Sequence, residues 1–360
     1  MPRESLDVSM SVLFPDSRFL WMMERSPGNF SHAEFLLLGF PGIVNFRALL
    51  LIPFCLIYAV ILTGNVLLIF RIWVEKTLHS PMYSLICLLF FVNLSCTSSF
   101  MPKFLLGLAF DLNRVTLSGC LLQMYVVYGT LTFESSVVLL MAIDRYLAIC
   151  RPLRYHNIMT RHLLVQLTLL CLARSVGIVL PSVVLAAKVR FCGSNVIQNF
   201  ACENMSLLRL VCDDISRVHT VGFVLRTFVT MGDVSLLVIS YVFILRTAMC
   251  VIGKARKKAL NTCGTHLMAC TVIYSSGVLS GLIYRVETSV SVDVQNLTSA
   301  IYFLLPASVN PSIYGLRIKE IRVSLMKAYG RSSRGSRENH RGEINAFQVP
   351  KATERRRDLP

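Results

Sequence analysis

Along the chain, long apolar runs alternate with short polar breaks. Seven runs qualify as membrane spans: Ala48 to Trp73, Pro81 to Met101, Cys120 to Ile149, Leu163 to Ala187, Val218 to Met249, Thr262 to Tyr284 and Leu297 to Leu316. A bilayer core of about 30 Å needs about 20 mostly apolar residues per helix, because in hydrocarbon a segment must satisfy its own N–H and C=O groups. The pattern predicts an all-α membrane protein, a seven-transmembrane helix bundle over residues 48–316. After it, Ile318, Ile321, Leu325, Met326 and Tyr329 recur at helical spacing beside Lys319, Arg322 and Lys327. This predicts a short amphipathic helix over 317–330 on the inner leaflet. Residues 331–360 are polar and Arg-rich, and are expected to be a disordered cytoplasmic tail. In the lead, residues 1–47, the apolar stretch Met10 to Phe14 stops at Pro15 and Asp16. That is too short for a signal-peptide core, so the first span is expected to act as its own signal, with Met22 or Met23 as an alternative start.

Composition sharpens this picture. The chain of 360 residues is 54% hydrophobic and 16% charged, against about 25% charged in a typical soluble domain. The net charge of +16 would suggest nucleic acid in a soluble protein; here its placement sets orientation, since Lys and Arg near span ends stay cytoplasmic. Arg71 and Lys76, Arg151, Arg154 and Arg161, then the basic connection Arg246, Lys254, Arg256, Lys257 and Lys258, and the tail, all fall on one side. That side is expected to be cytoplasmic, which puts the N-terminus outside. Asn29-Phe30-Ser31 there forms a glycosylation sequon, and those at Asn204 and Asn296 also fall outside.

Four of the twelve cysteines, Cys120, Cys192, Cys202 and Cys212, lie at or beyond the outer surface, where the secretory lumen is oxidising. Four thiols allow three connectivities. The favoured one joins Cys120 with Cys202 and Cys192 with Cys212, contributing about 3 kcal/mol each; the alternative leaves one pair free. The cysteines within the spans read as small hydrophobes.

An ionisable group at bilayer depth costs at least about 2.5–3.5 kcal/mol, so each one in a span is a candidate functional residue. These are Glu134, Asp144, Arg145, Arg174, Arg226, Asp233 and Arg285. Four of them have a plainer reading: Asp144 and Arg145 as a snorkelling pair, Glu134 as a buried protonated acid, Arg226 as a side chain snorkelling outward or paired with a loop carboxylate. No Ser/His/Asp set, paired acid-base carboxylates or metal-ligand cluster can be assembled, so neither an enzyme nor a cofactor or metal is expected. A transporter would need a polar path across the midplane or broken helices in repeated halves, and neither pattern is present.

The segment Met141-Ala142-Ile143-Asp144-Arg145-Tyr146-Leu147-Ala148-Ile149-Cys150-Arg151-Pro152 resembles the most specific signature of vertebrate olfactory receptors, rhodopsin-like G-protein-coupled receptors. Gly64-Asn65, Leu78-His79-Ser80-Pro81-Met82-Tyr83, Lys258-Ala259-Leu260-Asn261-Thr262-Cys263 and Asn310-Pro311-Ser312-Ile313-Tyr314 match further family motifs in order. The resemblance covers about residues 29–330. Phe40-Pro41-Gly42-Ile43, Glu134-Ser135-Ser136 and Arg174 look like the class I, fish-like branch.

The resemblance implies a receptor in the plasma membrane that takes a small odorant among its outer helix halves and raises cyclic AMP through a stimulatory olfactory-type heterotrimeric G protein. Membrane lipids and trafficking chaperones are the other partners it implies, with no nucleic acid. Arg145 would be held by Asp144 at rest, beside Tyr146, and released on activation, with Tyr241 and Tyr314 lining the opened cleft near Asn310 and Pro311. Glu134 would be the ion site. Asn93 stands where most rhodopsin-like receptors carry an Asp, so sodium affinity should be reduced. Class I receptors favour hydrophilic, often carboxylate-bearing odorants; Arg285 is placed like an acid-pairing arginine, Arg226 adds a second cation, and Tyr128 and the loop segment around Cys202 would be cavity walls. A non-olfactory rhodopsin-like receptor is the nearest alternative, a small-solute transporter a more distant one.

Overall fold

The computed structural model describes residues 34–192, 194–250, 253–284 and 290–327. Seven long helices follow one another: α1 (Arg47–Val74), α2 (Pro81–Phe110), α3 (Leu117–Cys150), α4 (Arg161–Ala187), α5 (Ser216–Cys250), α6 (Lys254–Ile283) and α7 (Val292–Arg317). A last helix, α8, occupies 319–327. Helix starts follow local chemistry. Pro81 opens α2, the Thr116 hydroxyl accepts from Gly119 N at 3.1 Å to cap α3, and Thr160 caps α4 through Leu163 N at 3.2 Å.

Six helices, α1 to α6, are long and apolar enough to cross a membrane. The seventh, at 26 residues, is as long but more polar, because it buries Gln295, Asn296, Thr298, Ser299 and Asn310. Outward faces show the reverse, exposing Leu49, Trp73, Leu170 and Phe228. In water so much apolar surface would drive aggregation; against lipid it is matched to its solvent.

Two helices depart from the expected spans. α2 continues through Pro102 to Phe110, and α6 begins at Lys254, leaving almost no connection after α5. Arg246, Arg256 and Lys257 therefore stand on helical turns rather than in a loop. Long basic side chains reach water from a helix end, so the helix need not stop where the charges begin.

Pro311 has no N–H for the carbonyl of Ala307, four residues back in α7. Asn65 of α1 supplies the replacement: its Nδ2 donates to Ala307 O at 3.0 Å and to its own Ile61 O at 2.8 Å. Gly64 allows the approach, since a Cβ there would sit 3.3 Å from Pro311. At the inner end α8 turns back under the bundle, with Ile321 buried and Arg71 of α1 donating to Ser324 O and Oγ at 3.1 and 2.8 Å.

A small sheet, not expected in an all-helical chain, covers the outer end. Strand β1 (Glu34–Leu37) lies between β2 (Arg114–Thr116), antiparallel, and β3 (Val196–Ile197), parallel. It ties the N-terminal segment to the connections after α2 and α4. Cys120 is bonded to Cys202 (Cα–Cα 5.3 Å) and Cys192 to Cys212 (5.8 Å). Phe40 holds a positive φ of 55°, unfavourable for a bulky residue, with its ring stacked on Phe200 at 6.4 Å and tilted on Phe54 at 5.9 Å. Asn296, read as an outer sequon, is instead buried: its Nδ2 donates to Gln198 O and Val292 O, and its Oδ1 accepts from Phe200 N. Both ends of the amide are used inside the protein, so it is not a glycan acceptor. Asn29 lies outside the described residues.

Candidate functional site

Beneath the sheet a cavity of about 590 Å³ opens among the outer halves of α3 to α7 and the segment after Cys202, within the size range of small-molecule pockets. Met124, Tyr128, Val183 and Ile273 make parts of an apolar wall. Tyr128 donates through its hydroxyl to Glu203 Oε1 at 2.9 Å, while Glu203 Oε2 accepts from Ser206 N at 2.9 Å. Burial raises the Glu203 carboxyl above its ordinary value, opposed by Ser206 N–H, the Tyr128 hydroxyl and the Arg226 charge. Arg226 lines the same cavity; its Nη2 donates to Gly277 O at 3.0 Å and its guanidinium lies 5.3 Å from the centre of the Tyr302 ring. It has no carboxylate within ion-pair distance among the described residues. Arg285, the other cation expected here, lies outside the described residues.

The floor of the cavity is polar. Arg174 of α4 donates from Nη2 to Asp233 Oδ1 of α5 at 2.7 Å and from Nη1 to Ser136 Oγ of α3 at 2.6 Å. Ser135 Oγ donates to Asp233 Oδ2 at 2.5 Å and shares a hydrogen bond of 2.8 Å with Tyr274 OH of α6. Four helices thus meet through one ion pair and its hydroxyls. One turn of α3 carries both Ser135 and Glu134, and Glu134 lines the cavity and accepts from Asn310 Nδ2 of α7 at 3.5 Å. Asn93 is not joined to Glu134 by a hydrogen bond; its Nδ2 donates to Asn65 Oδ1 at 3.2 Å. The expected ion site is thus split, Glu134 facing α7 and Asn93 facing α1.

Towards the inner end Leu85, Ile86, Leu89, Phe90 and Tyr314 are buried in one apolar cluster. Tyr314 meets Phe90 edge-on at 6.1 Å, and its buried hydroxyl, like the Asn310 amide oxygen, finds no partner among the described residues. Tyr241 of α5 shares a 2.5 Å hydrogen bond with His266 Nδ1 of α6, their rings stacked at 5.8 Å. Asp144 accepts from Tyr155 OH at 2.7 Å, whereas Arg145 Nη2 stands 4.0 Å from its Oδ2. The closer partner of Asp144 is therefore on the short helix Pro152–Ile158. Tyr146 packs edge-on against Phe243 of α5 at 6.3 Å.

Sequence reasoning overlooked Tyr274 and His266 as site residues, and it named the loop segment around Cys202 as a cavity wall without singling out Glu203. Glu203 was within reach, since it follows Cys202, whose bond to Cys120 carries it to the top of α3 near Tyr128. The pairing of Arg174 with Asp233 was also legible in principle: the one charge of the fourth span and the one carboxylate of the fifth have few other ways to be neutralised.

A family model described as olfactory receptor matches residues 54–331. The chain is 35% identical to olfactory receptor 52K2 of Homo sapiens over 298 residues, 82% of this chain and 95% of that relative. It is 36% identical to olfactory receptor 56A3 of Homo sapiens over 296 residues (82% and 94%), and 36% identical to olfactory receptor 56B34 of Mus musculus over 306 residues (85% and 95%). With its apolar helices the protein is a multi-pass membrane protein, a receptor and not an enzyme, and it belongs to the olfactory receptor family.

Proposed function

We propose that this odorant receptor binds a small acidic odorant in the cavity beneath the outer sheet, with Arg226 as the anchor and Tyr128 as a wall. On this reading it sits in the plasma membrane with its N-terminus outside and activates a stimulatory olfactory-type heterotrimeric G protein at its inner face, raising cyclic AMP. The observation that carries the ligand class is the unequal engagement of the two cavity charges. Both Glu203 oxygens already accept a hydrogen bond. A guanidinium has five N–H donors, and that of Arg226 uses one, on Gly277 O. The donors left over suit a carboxylate, which a guanidinium can grip with two parallel hydrogen bonds.

Support for signalling comes from the sequence of polar pairs between cavity and inner end: Ser135 with Tyr274, Glu134 with Asn310, Tyr241 with His266 and Asp144 with Tyr155. Each crosses between elements, and a ligand can bias them only by binding one arrangement more tightly than another. Arg145, Tyr146, Pro311 and Tyr314 lie at the inner end of this path and are the residues proposed to part or rearrange towards the G protein. Glu134, with one carboxylate and no acid at Asn93, is the proposed site for an ion or proton. Surface-expressed receptor should be exposed to short-chain acids, amines and neutral odorants with cyclic AMP as readout. A dose-dependent rise confined to acids is expected; a rise confined to amines would overturn the acid assignment, and no rise to any of the three would overturn the coupling.

A further inference from the structure

The wall of the cavity is uneven. The lining residues on α3, α4, α7 and the segment after Cys202 are buried or half-buried, whereas every exposed one, from His219 to Met231 on α5 and at Val278 and Leu282 on α6, belongs to two neighbouring helices. Phe223 is 43% exposed, Met231 61%, Val278 50% and Leu282 57%. These are apolar side chains that face the cavity and the outside of the bundle at once. At 1.5 Å per residue, Phe223 to Met231 lie about 10–22 Å below the outer end of α5, within the lipid-facing part of the span.

Arg226 sits in the same stretch. A charged side chain on a lipid-facing wall is costly unless its head turns inward, and here it crosses the seam between α5 and α6 to Gly277 O and the Tyr302 ring. It lies against Gly281, where a Cβ would stand in ordinary contact, 3.7 Å from Arg226 Nη2. In its outer half the seam is thus bridged by the Arg226 side chain. At the outer end Glu203 and Tyr284 line the cavity, and Asn199 Nδ2 donates to Tyr284 OH at 3.0 Å.

We propose that ligands reach this cavity sideways, from the outer leaflet, through the seam between α5 and α6, with Arg226 as its latch. The inference rests on the cavity being the ligand site. It deepens that reading by adding that the acid carries an apolar body able to enter a bilayer: that body slides between Phe223, Met231, Val278 and Leu282, and its carboxylate takes the Arg226 donors that Gly277 O leaves over.

The test uses the full chain in phosphatidylcholine vesicles containing decanoic acid with a diazirine on its chain. After illumination the labelled residues are mapped by mass spectrometry. Labels on the interior residues Thr132, Tyr302 or Pro306 are expected, falling at least about fivefold in a V278W/L282W receptor whose lipid-side mouth is filled, as expected when bulk is added where side chains must pass. G281F, which fills the seam from within, gives the same comparison should the double variant not fold. Interior labelling that is equal in wild-type and filled receptors, or absent from the wild type, would overturn the proposal. Because the probe is read by labelling and not by signalling, loss of interior labels on filling supports the entrance even in a receptor that answers no odorant acid, which would count against the acid assignment alone.

Discussion

The outer and inner halves of the bundle differ in what occupies the space between their helices. The outer half surrounds about 590 Å³ of void and is held from above by strands and two disulfides. In the inner half Leu85, Ile86, Leu89, Phe90 and Tyr314 are buried in one cluster, with Asp144 hydrogen-bonded to Tyr155 and Tyr241 to His266. A void can be occupied, so differential binding enters in the outer half. A close-packed half does not deform smoothly; it switches between discrete arrangements. Between them lies the layer of Arg174, Asp233, Ser135 and Tyr274, the only described set in which four helices share one ion pair. On the proposed reading, recognition lies above this layer and the response below it.

The sharpest way to break that division is to remove the ion pair. Asp233→Asn leaves Arg174 at mid-span without a carboxylate, a loss of about 3–5 kcal/mol for a broken buried pair. Surface staining of tagged receptor should fall to a small fraction of wild type and recover in part when Arg174→Met is added; full staining of Asp233→Asn alone would show that the layer is not structural. A smaller effect separates the two halves of the expected ion site. Glu134→Gln changes a group that lines the cavity and contacts α7, whereas Asn93→Ala removes one amide bond to Asn65, worth about 1 kcal/mol. Cyclic AMP responses to an agonist should be impaired more by the first than by the second, and equal impairment would contradict the split.

The smallest effect lies in the outer loop, where charge pairing is solvent-exposed. Arg190 donates to Asp213 from Nε and Nη2 at 2.9 and 2.7 Å, and these bonds hold the Asp213 carboxyl below its ordinary value. A depressed folded value means that the contribution is present above the unfolded value, about 4, and is lost as pH falls through the lower folded one. The difference in thermal midpoint between wild type and Asp213→Asn in detergent should be slight at pH 7 and close below about pH 4. A difference as large as that of Asp233→Asn would erase the contrast between exposed and membrane-embedded pairs.

How much of this could be read from the chain depends on the physics involved. Hydropathy located all seven long helices, since a span must be apolar wherever it meets lipid. It misplaced the ends of α2 and α6, because helices continue into water through Pro102 to Phe110 and through Lys254 to Lys258 at no cost that composition records. The strand at Glu34–Leu37 was invisible, because four residues pair only once two distant connections are brought beside them. In the site, Tyr128 and Arg226 announced themselves by type and depth. Glu203 was placed only with its segment around Cys202, since its contact with Tyr128 depends on how the bond from Cys202 to α3 sets that segment down. The split between Glu134 and Asn93 likewise follows from which neighbouring helix each one faces, which spacing along a single helix does not encode.

The most direct measurement of the account is the cyclic AMP dose response of surface-matched wild-type and Arg226→Ala receptors to a short-chain acid. Losing a charge-assisted hydrogen bond of about 1.5–3 kcal/mol should shift potency by about 10- to 100-fold towards higher concentration while the receptor still reaches the cell surface. Unchanged potency of the acid on Arg226→Ala would contradict the assignment of this cavity, and of its cation, as the place where the odorant is held.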